Sequence, residues 1–193
     1  MKRSHLLTIL FAASALTANA GLIGTNVTLN YHLDGTTTTD LITVDAGTEV
    51  QCTGGGSGNA NICSFLTAPD QFIDFDDFTI TYNYVQNGGV GHFNATDPNV
   101  FEFLDVNPGN DIVDVILTST IVGLDASRLT FTANSIRLNM YDLPLAEKDT
   151  FSMRIVTNPE PSAGLLGGVG VLLLGVPAYL KRRRQARSNT DLT

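Results

Sequence analysis

Apolar and polar residues alternate along the middle of the chain. Val27, Leu29, Tyr31 and Leu33 are spaced by Thr28, Asn30 and His32, and Phe78, Ile80, Tyr82 and Tyr84 by Thr79, Thr81 and Asn83. A period of two puts each set on one face, so both runs predict half-buried strands. Ile136, Leu138 and Met140 repeat the pattern around Arg137 and Asn139, as do Phe151, Met153 and Ile155 around Ser152 and Arg154. Asp34-Gly35, Asn87-Gly88-Gly89 and Asn107-Pro108-Gly109-Asn110 fall between runs and read as turns. No long stretch of residues 21–157 has a helical period. This predicts an all-β ectodomain, an antiparallel β-sandwich of jelly-roll or Ig-like type. Ile112 to Val122 is more continuously apolar and predicts either a central strand buried on both faces or one carrying a bulge.

The two ends are patterned differently. Lys2 and Arg3 precede an apolar stretch from Leu6 to Leu16, and Ala18-Asn19-Ala20 supplies a small-x-small cleavage pattern, so residues 1–20 read as a signal peptide cut before Gly21. Near the other end, Ala163 to Leu180 is an uncharged run of 18 residues followed by Lys181, Arg182, Arg183 and Arg184. At about 1.5 Å per helical residue such a run reaches roughly 27 Å, enough for one transmembrane helix. Basic residues flanking a span stay cytoplasmic, which places residues 21–157 outside.

Pro159-Glu160-Pro161 stands immediately before that span. A signal peptide at one end, with Pro-Glu-Pro, a single span and an arginine cluster at the other, resembles the PEP-CTERM class of exported bacterial proteins. The resemblance covers residues 158–187 and the signal peptide, leaving 188–193 as a short tail. It implies a Gram-negative producer of extracellular polysaccharide, signal peptidase and exosortase as processing partners, and delivery to the cell surface or extracellular matrix after transient membrane anchoring. Pro159, Glu160, Pro161, Arg182, Arg183 and Arg184 would form the sorting motif, and Ala18, Ala20 and Gly21 the signal cleavage site. The segment from Gly123 to Phe131, followed by Asn134-Ser135-Ile136, is also similar to β-rich ectodomains of that class, and its reading is a turn followed by two paired strands.

Charge changes the picture of the middle region. Residues 21–157 carry 17 acidic residues against Arg128, Arg137, Lys148 and Arg154, a formal balance of −13 that the whole-chain value of −8 conceals. Such a domain repels phosphates, which argues against nucleic acid as a partner.

Cys52 and Cys63 are the two cysteines, bracketing a loop rich in Gly, Ser and Asn. In an exported chain the expectation is a disulfide, and closing a loop of this length is worth roughly 3 kcal/mol. Two acidic groups offer oxygen ligands: Asp70, Asp74, Asp76 and Asp77 before a strand, and Asp105, Asn107, Asn110, Asp111 and Asp114 around a Pro-Gly turn. Calcium accepts such ligands, with Asp105, Asn107 and Asp111 the candidates, although neither group has EF-hand spacing. The competing reading is solvated charge that discourages sheet-to-sheet association, with no cofactor.

No G-x-S-x-G, H-E-x-x-H, phosphate loop or C-x-x-C is present. The expected function is therefore a non-enzymatic surface or matrix protein. The alternative is a carbohydrate-binding module, with calcium as an accessory, that holds extracellular polysaccharide. A third reading keeps the tail as a permanent anchor.

Overall fold

The alternating runs become strands in a computed structural model of the chain, which describes residues 21–85, 90–107 and 110–158. In chain order they are β1 (Asn26–Leu33), β2 (Thr36–Thr43), β3 (Val50–Gly54), β4 (Ser57–Gly58), β5 (Gln71–Asp76) and β6 (Thr79–Tyr84). Then follow β7 (Gly91–His92), β8 (Asn99–Leu104), β9 (Ile112–Ser119), β10 (Leu129–Phe131), β11 (Ser135–Asn139), β12 (Pro144–Leu145) and β13 (Thr150–Thr157). The described helices are two 3-10 turns, Asn61–Ser64 and Ala126–Arg128. The expected transmembrane helix lies outside the described residues.

All pairings are antiparallel. One sheet has the order β10-β11-β8-β1-β2, another β4-β3-β5-β6-β13-β9, and β12 pairs with β7 as a separate ribbon. The β1–β2 hairpin turns at Asp34 and Gly35, with φ of 51° and 72°. Two consecutive positive φ values are what a tight turn needs to match the twist of its strands, and Asp-Gly accepts them at low cost.

The inward sets of the two large sheets meet in one core. Tyr31, Phe101 and Phe103 come from the five-stranded sheet, and Phe75, Tyr82 and Phe151 from the six-stranded one. Tyr82 stacks on Phe151 with centroids 5.1 Å apart, and Phe101 lies 6.1 Å from Tyr82 and 6.2 Å from Phe151. Phe75 meets Phe103 edge-on at 5.9 Å. Face-to-face sheets with interdigitated inner side chains are a β-sandwich arrangement.

One strand departs from expectation. The segment at Ile112 to Val122 is not central: β9 is the outermost strand of its sheet, paired with β13 alone in that ladder. Val113 is 52% exposed and Ile116 42%. The strand beside β9, β13, lies second from that edge, buries Phe151, Met153 and Ile155 and pairs on both sides. The register opposite β9 does shift, between Val156 and Thr157.

Candidate functional site

The outward face of the five-stranded sheet carries an ordered polar row. Cross-strand register puts Thr130 opposite Arg137, Arg137 opposite Glu102, Glu102 opposite Asn30, and Asn30 opposite Thr39. Directly opposed side chains lie within contact range, so one residue from each of five strands forms a transverse line. Thr39 Oγ1 donates to Asn30 Oδ1 at 2.8 Å, and Asn30 Nδ2 donates to Glu102 Oε2 at 3.1 Å. Arg137 Nη1 donates to Glu102 Oε1 at 3.1 Å.

His32, one register step along, joins the same carboxylate through Nε2 at 2.9 Å and meets Thr37 Oγ1 through Nδ1 at 2.9 Å. An ionised carboxylate only accepts, so Nε2 carries the proton in this contact. Partial burial pushes the Glu102 carboxyl upward, but hydrogen bonds from Asn30 and His32 and the Arg137 charge together outweigh it and hold its pKa below the ordinary value. Glu102 is thus a fixed anion at neutral pH, the centre of the row.

Beside this row lies an open groove of about 390 Å³, lined by Val100, Ser127, Arg128, Thr130, Arg137, Asn139 and Tyr141. Asp125 caps the turn Ala126–Arg128, accepting from Ser127 N at 2.8 Å and from Ser127 Oγ at 2.6 Å. These two Ser127 hydrogen bonds, aided by the Arg128 charge, hold the Asp125 carboxyl below its usual pKa. Arg128 Nη1 donates to the Tyr141 carbonyl at 2.7 Å, and Tyr141 N donates to Asn139 Oδ1 at 2.8 Å. The aromatic residue is therefore held by its backbone on both sides while its side chain borders the groove.

A smaller cavity of about 230 Å³ is lined by residues that include Tyr31, Phe65, Gln71, His92, Phe93 and Leu145. Its buried polar groups are already paired. Tyr82 Oη donates to Gln71 Oε1 at 2.6 Å, Gln71 Nε2 donates to the Ala68 carbonyl at 2.9 Å, and Tyr31 Oη donates to Asn99 Oδ1 at 2.7 Å. Burial raises the Tyr31 hydroxyl pKa strongly, the Asn99 contact only partly opposing it. These phenols stay neutral and serve packing.

The residues singled out from sequence fall in several places. Cys52 and Cys63 are disulfide-bonded, Cα atoms 5.1 Å apart, and tie β3 to the turn Asn61–Ser64. Asp40, an inward-facing and 7% exposed residue of β2, holds the same turn: Oδ1 accepts from Asn61 N at 2.7 Å and Oδ2 from Ile62 N at 2.8 Å. The first acidic group does precede a strand, β6, but is spread along the strand before it. Asp70 precedes β5, Asp74 and Asp76 sit on its outward face, and Asp77 begins the next turn. Strand geometry spaces alternate residues by about 6.6 Å, which spreads the carboxylates along the strand.

In the second group Asp105 has φ of 61°, the Asp111 carbonyl accepts from Asn158 N at 3.0 Å, and the Asn107 carbonyl accepts from Asn110 N at 3.2 Å. Asn110 Oδ1 is buried with no hydrogen-bond partner among the described residues. Among those residues no three His, Cys, Asp or Glu side chains cluster as metal ligands. Gly21 is described, and Leu22 beside it is a core residue at 1% exposure. Ala18, Ala20, Pro159, Glu160, Pro161, Arg182, Arg183 and Arg184 lie outside the described residues.

No protein-family model, no curated protein and no solved structure matches the chain. The alternation had marked Asn30, His32, Arg137 and Asn139 as polar positions. The convergence of Asn30, His32 and Arg137 on Glu102 had no sequence signal, because it depends on which strands become neighbours.

Proposed function

We propose that this is an exported, non-enzymatic cell-surface or matrix protein, delivered by a C-terminal signal built from Pro159-Glu160-Pro161, the span 163–180 and the arginine cluster behind it. The observation that carries this reading is the ordered tail itself, placed directly after the last strand: β13 ends at Thr157, two residues before Pro159. Signal peptidase cuts before Gly21 and exosortase acts at the tail. The disulfide supports an oxidising destination, since such bonds persist outside the cytoplasm. Glu102, fixed as an anion by its partners, is suited to organising a surface and unsuited to giving up a proton in catalysis.

Intact mass of the protein recovered from the native host, with and without reduction, tests this reading. A species that begins at Gly21, ends near Pro161 and gains the mass of two hydrogens on reduction is expected. Retention of Arg187 would mean a permanent anchor and would overturn exosortase delivery.

A second reading, that the ectodomain binds carbohydrate, is favoured by the polar sheet face and its groove. Sandwich domains present such faces to extended ligands, and the jelly-roll type fits better than the Ig-like type. Its support is the chain path, which changes sheet between β2 and β3, β6 and β8, β8 and β9, β9 and β10, and β11 and β13. On this reading calcium is an accessory at the loop of Asp105, Asn107 and Asp111, and a binding assay repeated with chelator tests it.

A further inference from the structure

We infer that the groove formed by Arg128, Arg137 and Tyr141 binds a carboxylated saccharide unit of an acidic polysaccharide. This rests on the carbohydrate-binding reading and deepens it by naming the ligand's charge and the residues that select it; it does not depend on the sorting reading.

The distribution of charge carries the inference first. Residues 21–157 hold 17 acidic side chains and four basic ones. Two of those four line this groove, and none of the 17 acids does. In a domain that repels anions almost everywhere, the charged side chains lining this concavity are both cationic. Glu102 and Asp125 offset part of that charge from outside the lining, so what the groove itself presents to a ligand is arginine N–H donors and no carboxylate. Both oxygens of Glu102 are occupied by Asn30, His32 and Arg137, and Asp125 accepts from the backbone and hydroxyl of Ser127. Among the described residues each arginine spends only Nη1, Arg128 on the carbonyls of Tyr141 and Asn139 and Arg137 on Glu102. A guanidinium has five N–H donors in a planar fork suited to a carboxylate, so each keeps donors for a ligand.

The remaining lining argues for a sugar over a bare anion or an acidic peptide. Tyr141 is 37% exposed, and an aromatic face packs against the C–H side of a pyranose ring. Ser127, Thr130 and Asn139 surround it with hydroxyl and amide groups, which exchange hydrogen bonds with sugar hydroxyls. The volume, about 390 Å³, falls inside the range of about 300–1,000 Å³ typical of small-ligand sites. The anchoring of Tyr141 through its own N–H and carbonyl keeps the platform in place before a ligand arrives.

Calorimetry on the full chain in mild detergent tests the inference, with oligogalacturonate as the carboxylated probe, a neutral dextran oligomer of similar length, and poly-glutamate as the acidic peptide. Oligogalacturonate is expected to bind, dextran and poly-glutamate to bind at least roughly tenfold more weakly, and Arg137→Gln and Tyr141→Ala each to reduce oligogalacturonate affinity roughly tenfold. Lys148→Gln and Arg154→Gln, cations outside the groove, should stay within about twofold. Arg128→Lys keeps the charge but loses the fork, so it serves as the second variant if Arg137→Gln lowers the melting temperature. Equal loss from all four cation substitutions, or equal binding of poly-glutamate, would reduce the groove to general electrostatics and overturn the inference. Binding of dextran alone would overturn it while leaving a neutral-carbohydrate module standing; binding of neither saccharide would remove both.

Discussion

Glu102 shows how a single side chain can be prominent in the structure and inconspicuous in the sequence. Nothing in Phe101-Glu102-Phe103 distinguishes it from any outward strand residue, and the 70-residue separation from His32 hides their contact. Alternation made Asn30, His32 and Arg137 legible as a polar face; register, which sequence alone did not supply, made them a row. The same contacts predict a pH effect. The carboxyl pKa is lower in the folded chain than in the unfolded one, so its stabilisation is present above the unfolded value of about 4.3 and is lost as pH falls through the folded value. Glu102→Gln is expected to cost about 1.5 kcal/mol at pH 7 and progressively less at an acid pH below the folded value, as the wild-type carboxyl itself takes up a proton. Urea titrations of both proteins at the two pH values give the comparison, and a cost independent of pH would show that packing, not charge, is what the residue provides.

Among the elements, the loop between β3 and β5 is the one whose order most depends on specific bonds. It contains Gly54, Gly55 and Gly56, all with positive φ, and a 3-10 turn one residue beyond Ala60, which offers no side-chain cap. Two devices hold it. The Cys52–Cys63 bond was legible from cysteine count and context, whereas the Asp40 clamp was not, because an inward carboxylate on a strand looks like an interruption of the pattern until the turn it receives is in place. Loss of the disulfide in Cys52→Ala/Cys63→Ala should cost roughly 3 kcal/mol. Asp40→Ala should cost about 2 kcal/mol through two charge-assisted hydrogen bonds. Both devices fix the turn Asn61–Ser64, so the penalties are expected to be less than additive, with Asp40→Ala costing less in the disulfide-free background. A double-mutant cycle by chemical denaturation reads this coupling, and strict additivity would mean that the two act on separate parts of the loop. At β9 the bulge reading holds, since the register passes from Asp114 to Ile112 and skips Val113, while the central-strand reading fails for a different reason. Continuous apolarity predicts burial on both faces, yet Val113 and Ile116 are exposed on an edge strand. Composition describes a strand's own surface and is silent about which strand claims the centre.

At the scale of the whole domain the two opposing terms are a shared aromatic core and a large unbalanced charge. Phe101 contacts rings from both sheets, so Phe101→Ala should cost about 3–5 kcal/mol and lower the thermal stability of both sheets together, visible as one cooperative transition shifted downward. The charge acts differently because it has no single location. With 17 acids against four bases, the field of residues 21–157 is a sum over many weak repulsions. A domain of this length has a radius of gyration of roughly 14 Å. In about 0.01 M salt the screening length is about 30 Å and every acid feels every other, whereas at about 0.1 M it falls to about 10 Å and only neighbours interact. Adding salt should therefore stabilise the ectodomain, raising its melting temperature by roughly 2–5 °C between those two concentrations at pH 7. The attraction of the Arg128 and Arg137 groove for an acidic saccharide is screened by the same ions, so affinity should fall over the range in which stability rises. Parallel thermal melts and calorimetry along one salt series separate the two, and a melting temperature that fell with salt would mean that favourable local pairs such as Arg137 with Glu102 outweigh the collective repulsion.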